Sequence, residues 1–429
     1  MSIARRVAAV AALALLVGPL GATAATADDW ADSQNGLWYY TVPNLETVHQ
    51  TADGSGITIA VLDGPINPDV AELAGTNLVV DTDLGDLLPE NACPATSTDP
   101  GAFHGTSMVS LILGTGASAD PQLPTGVMGV APGATVRYYP VTAPSVDVDP
   151  NGEKVDCTPR YALVGSLLQR VIDDGADIIS TSVGLAGLIA PEDVLAAARA
   201  GVIIVAAAGN DHITVLGVPE RFNGVVAVGS LGIDLTPSSF SNYGPQLGVL
   251  APGEKILAAR PEDGWTTHSL ASGTSNSAPI TAGIIALGWS AHPDATANQI
   301  LQAVARTTGG TTHDLVRDDR SGFGMLNARQ LVATDPTQFP DVNPFVTADG
   351  EPTIGQLAEA IAPTPPPTAS ASAEPSATAT AAPAPDEGGL PPWLVPALGG
   401  GLLILVVGAV AAVLAARRRT PRTDPAGRT

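Results

Sequence analysis

Residues 57–62 read Ile-Thr-Ile-Ala-Val-Leu, and an acidic residue, Asp63, follows them at once. A short run so rich in β-branched and aliphatic side chains predicts a strand that is buried on both faces of a sheet. In a parallel sheet, a carboxylate at the carboxyl end of a strand lies at the edge where such sheets bind ligands. This stretch therefore predicts both a core strand and a polar group at a binding edge.

Similar apolar runs recur along the chain and alternate with helical patterns. Further strands are predicted at 136–141, from 177 onward, and at 202–207, 225–228 and 256–258, and helices at 104–114, 161–174 and 191–200. This alternation predicts an α/β fold with a doubly wound, mainly parallel sheet that is covered by helices on both faces. We expect one such domain over residues 57–335, a length that can bury a substantial core.

The amino-terminal end of the 429-residue chain is typical of an exported protein. Residues 1–27 predict a secretory signal peptide, because Arg5 and Arg6 precede an apolar segment and a small-residue cleavage site ends at Ala27. A membrane anchor is the alternative for this segment. Residues 28–56 form an N-terminal extension whose Trp and Tyr side chains predict that it packs against the folded body.

The carboxy-terminal end predicts a membrane anchor. Residues 394–416 are 23 residues without a charge, enough to cross a bilayer as a helix at about 1.5 Å per residue. Arginines at 417–419 follow and predict that the tail, 417–429, is cytoplasmic. A buried core helix is the alternative. Residues 336–393 are assigned to a linker rich in Pro, Ala, Ser and Thr.

Charge and cysteine content exclude some classes of function. The formal net charge of −23 disfavours binding to nucleic acid and to anionic surfaces. In an exported chain the two cysteines, Cys93 and Cys157, predict one disulfide, with two free thiols as the alternative. We find no Cys and His cluster with metal-ligand spacing and expect neither a metal nor a cofactor.

Four polar residues, each at a predicted strand end or helix start, supply the groups that a nucleophilic serine needs. Such a serine requires a base, a carboxylate that orients the base, and donors for the oxyanion. The candidates are Asp63, His104, Asn210 and Ser275. Taken singly, each is also compatible with an ordinary turn or helix cap. Their joint occurrence at the junctions of one predicted sheet favours a catalytic site.

The order Asp, His, Ser with these flanking residues resembles the subtilisin-like serine proteases. Further segments that resemble this family are Gly129–Ala134, Ser182-Val183-Gly184 and Ser321–Ala328. The resemblance implies that Asp63 orients His104, that His104 is the general base and acid, and that Ser275 attacks the peptide carbonyl. It also implies that Asn210 and the Ser275 amide form the oxyanion hole and that Ser182, Val183 and Gly184 bind an extended polypeptide substrate.

The arrangement of segments is most similar to the mycosins, the membrane-anchored subtilisin-like proteases of type VII secretion. That likeness implies a single-pass protein of the cell membrane, with an extracytoplasmic protease domain and a type VII secretion membrane complex as a partner. One departure from the family pattern lies beside the catalytic carboxylate, where Gly64 and Pro65 replace a hydroxyl residue and a glycine. A weakly active or inactive protease that serves as a structural subunit of a secretion complex is therefore the alternative.

Overall fold

The structure is a computed structural model that describes residues 36–82, 91–141, 157, 164–185 and 189–361. The predicted signal peptide, residues 28–35 of the extension, the linker beyond 361, the predicted transmembrane helix and the tail lie outside the described residues. Within the described ranges, no helix has both the length and the hydropathy that a bilayer span requires.

Seven strands form the central sheet, and they all run parallel to their neighbours. They are β1 (Thr58–Asp63), β2 (Leu78–Val80), β3 (Thr135–Pro140), β4 (Ile178–Thr181), β5 (Ile203–Ala207), β6 (Val225–Leu231) and β7 (Leu247–Pro252). Their order across the sheet is β2-β3-β1-β4-β5-β6-β7. From β1 the chain runs to the edge strand β2, returns to β3 between the two, and then crosses to β4 on the other side of β1. The crevice between β1 and β4 is therefore the switch point where such sheets bind ligands.

Helices cover both faces of this sheet. The α-helices are α1 (Trp38–Thr41), α2 (Leu45–His49), α3 (Phe103–Leu113), α4 (Val164–Asp173), α5 (Pro191–Ala200), α6 (Thr274–Ala291), α7 (Ala297–Arg306), α8 (Ala328–Ala333) and α9 (Ile354–Ile361). Alternate residues of β1 enter different cores. Ile59 and Val61 pack with α3 and α6, whereas Ala60 and Leu62 pack with α4 and α5. The predicted α/β class and the parallel sheet are confirmed.

The predicted strand at 256–258 forms, but it does not join the main sheet. It lies in β8 (Ile256–Arg260), which pairs antiparallel with β9 (Thr267–Ala271) in a two-stranded hairpin. The hairpin leads directly into α6. Strands β2, β7 and β9 had no counterpart in the sequence patterns, since β2 has three residues and β7 contains Gly248 and ends at Pro252.

The described part of the N-terminal extension packs against the body, as its aromatic side chains predict. Trp38 Nε1 donates to the Glu254 carbonyl oxygen at 2.9 Å, and the Tyr39 hydroxyl donates to the Met128 carbonyl oxygen at 2.6 Å. Both aromatic side chains are almost completely buried. The predicted disulfide between Cys93 and Cys157 is present as well.

The folded body continues past residue 335, where the sequence places the start of the linker. Phe345 is buried in the main core, and the buried side chain of Asn223 donates to the Thr347 and Pro352 carbonyl oxygens at 3.0 and 3.1 Å. Helix α9 follows and buries Leu357. These apolar and amide anchors hold residues 336–361 to the domain. The folded domain therefore extends beyond residue 335, its predicted end.

Candidate active site

The first pair of candidate residues, Asp63 and His104, is in direct contact. Asp63 is the last residue of β1, and His104 lies in the first turn of α3. His104 Nδ1 lies 2.7 Å from Asp63 Oδ1. The carboxylate is 1% exposed and the imidazole is 31% exposed. A buried carboxylate at this distance holds a proton on Nδ1 and leaves Nε2, the other ring nitrogen, as the acceptor.

The environment of His104 raises its basicity. Burial alone lowers the pKa of this imidazole, but the negative charge and the hydrogen bond of Asp63 outweigh burial, so the pKa lies above its ordinary value of 6.5. The same interactions stabilise the imidazolium that forms when His104 takes up a proton. This is the property that a general base paired with a serine requires.

The Asp63 carboxylate is held through one oxygen only. The Gly64 amide donates to Oδ1 at 2.7 Å, and the His104 ring donates to the same atom. The other oxygen, Oδ2, is buried and has no hydrogen-bond partner among the described residues. The cause is the departure seen in the sequence: Gly64 has no side-chain hydroxyl, and Pro65 has no amide hydrogen.

Ser275 is the second residue of the buried helix α6, where the amino-terminal dipole of the helix favours developing negative charge. Its hydroxyl donates to the Ser182 carbonyl oxygen at 3.3 Å, and the Ser182 hydroxyl donates to the Ser275 carbonyl oxygen at 2.8 Å. Pro279 explains the second bond, because this proline has no amide hydrogen for the Ser275 carbonyl of the preceding turn. The serine is thus fixed beside the end of β4.

Sheet register brings Ser275 and Asp63 to the same edge. Leu62 of β1 pairs with Thr181 of β4, so the next residues, Asp63 and Ser182, lie side by side at the carboxyl ends of these strands. Ser182 in turn holds Ser275. No hydrogen bond joins Ser275 to His104 within the described ranges, so the serine hydroxyl must turn away from Ser182 before His104 can take its proton.

Asn210 lies just beyond β5 and is anchored to the start of α6. Its Oδ1 accepts from the Thr274 amide at 2.9 Å and from the Thr274 hydroxyl at 3.0 Å. Its Nδ2 lies over Gly273, where a Cβ would approach that nitrogen to 3.4 Å. Neither Nδ2 nor the Ser275 amide has an acceptor among the described residues. Both donors therefore remain available for an oxyanion.

Two supporting residues escaped the sequence reasoning. One is Thr274, which fixes the Asn210 amide as described. The other is Asn242, which is 4% exposed. Its Oδ1 accepts from the Asp211 and Ile213 amides at 2.9 and 3.1 Å, and its Nδ2 donates to the Ala208 carbonyl oxygen at 3.0 Å. Asn242 thus holds the chain on both sides of Asn210. No local pattern around Asn242 in the sequence predicts this long-range role.

The predicted substrate-binding residues, Ser182, Val183 and Gly184, follow β4 directly. Ser182 and Val183 are half-buried and Gly184 is exposed. Their backbone lies at the edge that carries Ser275, which is where an extended peptide can add by strand pairing.

Asn276 and Ser277, the two residues after Ser275, are both buried. Asn276 Nδ2 donates to the Gly253 and Ala271 carbonyl oxygens at 3.4 and 3.3 Å. The Ser277 hydroxyl lies 3.1 and 3.2 Å from the Ala251 and Pro252 carbonyl oxygens. These polar side chains tie the start of α6 to the end of β7 and to the residues beside it.

The described residues contain no group of three or more His, Cys, Asp or Glu side chains that could hold a metal ion.

Comparison with known proteins matches this geometry to one family. The profile of the subtilase family, peptidase S8, matches residues 54–328. Subtilisin DY of Bacillus licheniformis is 31% identical over 213 residues, which are 48% of this chain and 70% of that protein. The thermostable alkaline protease of Halalkalibacterium halodurans is 29% identical over 280 residues, 64% of this chain and 68% of that protein.

One similar protein is considerably longer than the matched region. The halolysin-like extracellular serine protease Nep of Natrialba magadii is 34% identical over 175 residues, 40% of this chain but 31% of that protein. Among solved structures, the prenylagaramide maturation protease PagA superposes with a TM-score of 0.51 at 25% identity, covering 68% of this chain and 98% of that one. A protease from Pseudoalteromonas arctica gives a TM-score of 0.53 at 25% identity, covering 70% and 96%.

Proposed function

The chain belongs to the subtilase family of serine-type endopeptidases, and on that premise we propose that it cleaves polypeptides with Asp63, His104 and Ser275. The observation that carries the proposal is the 2.7 Å contact between His104 Nδ1 and Asp63 Oδ1 at the sheet edge where Ser275 begins a helix. The three residues take the roles of orienting carboxylate, general base and acid, and nucleophile.

Acylation begins when Ser275 Oγ leaves the Ser182 carbonyl and attacks the scissile carbonyl carbon. His104 Nε2 takes the hydroxyl proton as the new C–O bond forms, and Asp63 stabilises the resulting imidazolium. His104 then returns this proton to the leaving amine nitrogen as the C–N bond breaks. The product is an acyl-enzyme ester on Ser275 together with the free amine half of the substrate.

The negative charge that develops on the carbonyl oxygen needs donors that are already in place. Asn210 Nδ2 and the Ser275 amide provide them, and the Thr274 contacts to Asn210 Oδ1 fix the amide orientation in advance. Preorganised donors of this kind contribute about 3 to 4 kcal/mol to transition-state stabilisation. In deacylation, His104 takes a proton from water, the water oxygen attacks the ester, and the proton returns to Ser275 Oγ.

Cleavage of peptides by the purified full-length chain tests this proposal. A proteome-derived peptide library is incubated with wild type and with Ser275→Ala, and new amino termini are identified by mass spectrometry. We expect new termini with wild type alone. Equal cleavage by the Ser275→Ala variant would assign the activity to a contaminant or to another residue and would reject the proposed nucleophile.

We further propose that residues 394–416 anchor the protein in the cell membrane, with the domain outside the cytoplasm and the tail inside. The uncharged stretch and the arginines at 417–419 support this orientation. A protease added to intact cells should degrade an epitope placed near residue 361 and spare one fused after residue 429. Release of the whole chain into the soluble fraction by alkaline extraction would contradict the anchor.

The finer assignment, a mycosin-like role in type VII secretion, is likewise a proposal. The order of signal, extension, subtilase domain, linker and predicted anchor supports it. The unpartnered Asp63 Oδ2 favours the second candidate, a secretion subunit whose proteolysis is dispensable. Secretion is therefore compared between a deletion strain complemented with wild type and one complemented with Ser275→Ala. Secretion restored equally by both supports the structural role, and loss with Ser275→Ala supports the catalytic one.

A further inference from the structure

Tyr138 is a fully buried tyrosine that none of the catalytic steps uses. It lies on β3, where it pairs with Val61 of the neighbouring β1. Because side chains alternate along a strand, Val61 and Asp63 project from the same face of the sheet, and Tyr138 shares that face. Its ring therefore lies beneath the catalytic carboxylate rather than in the opposite core.

The Tyr138 hydroxyl lies between the Gly64 carbonyl and Gly105, the residue that follows His104. It donates to the Gly64 carbonyl oxygen at 2.6 Å. On the other side it lies against Gly105, where a Cβ would come within 1.9 Å of the hydroxyl oxygen and 2.7 Å of the Pro65 carbonyl oxygen. Only a glycine next to the catalytic histidine leaves room for this hydroxyl.

The bond from Tyr138 to the Gly64 carbonyl matters because Gly64 also holds the Asp63 carboxylate. Asp63 accepts hydrogen bonds through Oδ1 alone, and one of the two donors is the Gly64 amide. Tyr138 holds the carbonyl of that same residue, so the two bonds fix the residue from both ends. Burial and the charge of Asp63 raise the pKa of Tyr138 well above its ordinary value of 10, which favours the protonated hydroxyl that donates this bond.

We infer that Tyr138 is a positioning residue that holds the Asp63-Gly64-Pro65 turn against His104, in place of the hydroxyl that this chain lacks at position 64. The inference rests on the proposed function, since it assigns to Asp63 and His104 their catalytic roles. It adds a residue of β3 to the site and explains how the departure at Gly64-Pro65 is compatible with an oriented carboxylate.

Tyr138→Phe removes the hydroxyl and keeps the ring. In the full-length protein we expect kcat to fall about tenfold to a hundredfold, the range that a small misplacement of a catalytic group costs. KM should change little, because no substrate contact is lost. The acid limb of the pH profile should move to lower pH, since a less well placed Asp63 raises the pKa of His104 by less.

The adjacent tyrosine supplies the matched control. Tyr139 is buried in the opposite core, and its hydroxyl donates to Asp174 Oδ2 at 2.8 Å. Tyr139→Phe therefore also deletes one tyrosine hydroxyl from β3, but away from the site, and should leave kcat and the acid limb unchanged. Adding Gly64→Ser to Tyr138→Phe supplies the hydroxyl residue that this chain lacks after Asp63 and should restore part of the lost kcat.

Wild-type kcat and an unshifted acid limb in Tyr138→Phe would overturn the inference, as would equal losses in both tyrosine variants. A wild-type chain without activity would instead reject the proposed function. In that case the inference is tested by NMR titration of the His104 ring. The His104 signal is identified as the one that is missing from the spectrum of His104→Gln. Tyr138→Phe must lower the pKa of this ring, and an unchanged titration would overturn the positioning role.

Discussion

The Asn210 side chain has two functions, which substitutions can separate. Its oxygen anchors Thr274, and its Nδ2 donates a hydrogen bond to the oxyanion. Asn210→Ala removes the Nδ2 donor and also the acceptor of the Thr274 amide and hydroxyl, which lie at 2.9 and 3.0 Å. Loss of one preorganised oxyanion donor costs about a hundredfold to a thousandfold in kcat, or about 3 to 4 kcal/mol. We expect a loss in this range with KM nearly unchanged, because the donor acts on the transition state.

Asn210→Asp is the matched variant, since it keeps an oxygen for Thr274 but has no N–H donor. Its kcat should fall at least as far as in Asn210→Ala, because a carboxylate also repels the developing oxyanion. Initial rates of peptide hydrolysis over a range of substrate concentrations separate kcat from KM. The assignment of Asn210 fails if Asn210→Asp keeps wild-type kcat, or if both variants raise KM and leave kcat intact.

Two further predictions concern the imidazole and the disulfide. As pH falls, kcat/KM should drop with a midpoint above 6.5, because His104 must be neutral to accept a proton and its pKa is raised. In Asp63→Asn the midpoint should move lower, since burial lowers the pKa of His104 and the carboxylate no longer opposes this effect. A wild-type midpoint below that of Asp63→Asn would contradict this sign. Joint replacement of Cys93 and Cys157 by alanine opens a link across 64 residues, so the free energy of unfolding in urea should fall by about 4 kcal/mol on the chain-entropy estimate. An unchanged urea midpoint would show that the link adds no stability.

Much of the fold could be predicted because the core strands are strongly patterned. The run ending at Asp63 and the helix at Pro191–Ala200 are visible locally, since burial on both faces and helical periodicity each mark the sequence itself. Strand β7 escaped because Gly248 interrupts its apolar run. The segment 336–361 escaped because isolated anchors such as Phe345 bury themselves in a core that other parts of the chain build.

The candidate site shows the same division between local and long-range information. Glycines and small residues around Ser275 mark a helix start in the sequence. The missing hydroxyl residue at Gly64 is also visible there, and it accounts for Asp63 Oδ2 having no partner among the described residues. Tyr138 and Asn242 carry no such mark. They act through contacts between strands and loops that are distant in sequence, so their roles follow only once sheet order and register are known.

Covalent labelling of Ser275 shows whether this serine is an activated nucleophile. The full-length protein is treated with a fluorophosphonate, which phosphonylates a serine only where a neighbouring base and oxyanion donors activate it. The account predicts one adduct, located on Ser275 by peptide mass spectrometry, absent in Ser275→Ala and strongly reduced in His104→Gln. Folded wild-type protein that takes up no label, or takes it up on another serine, would contradict the account.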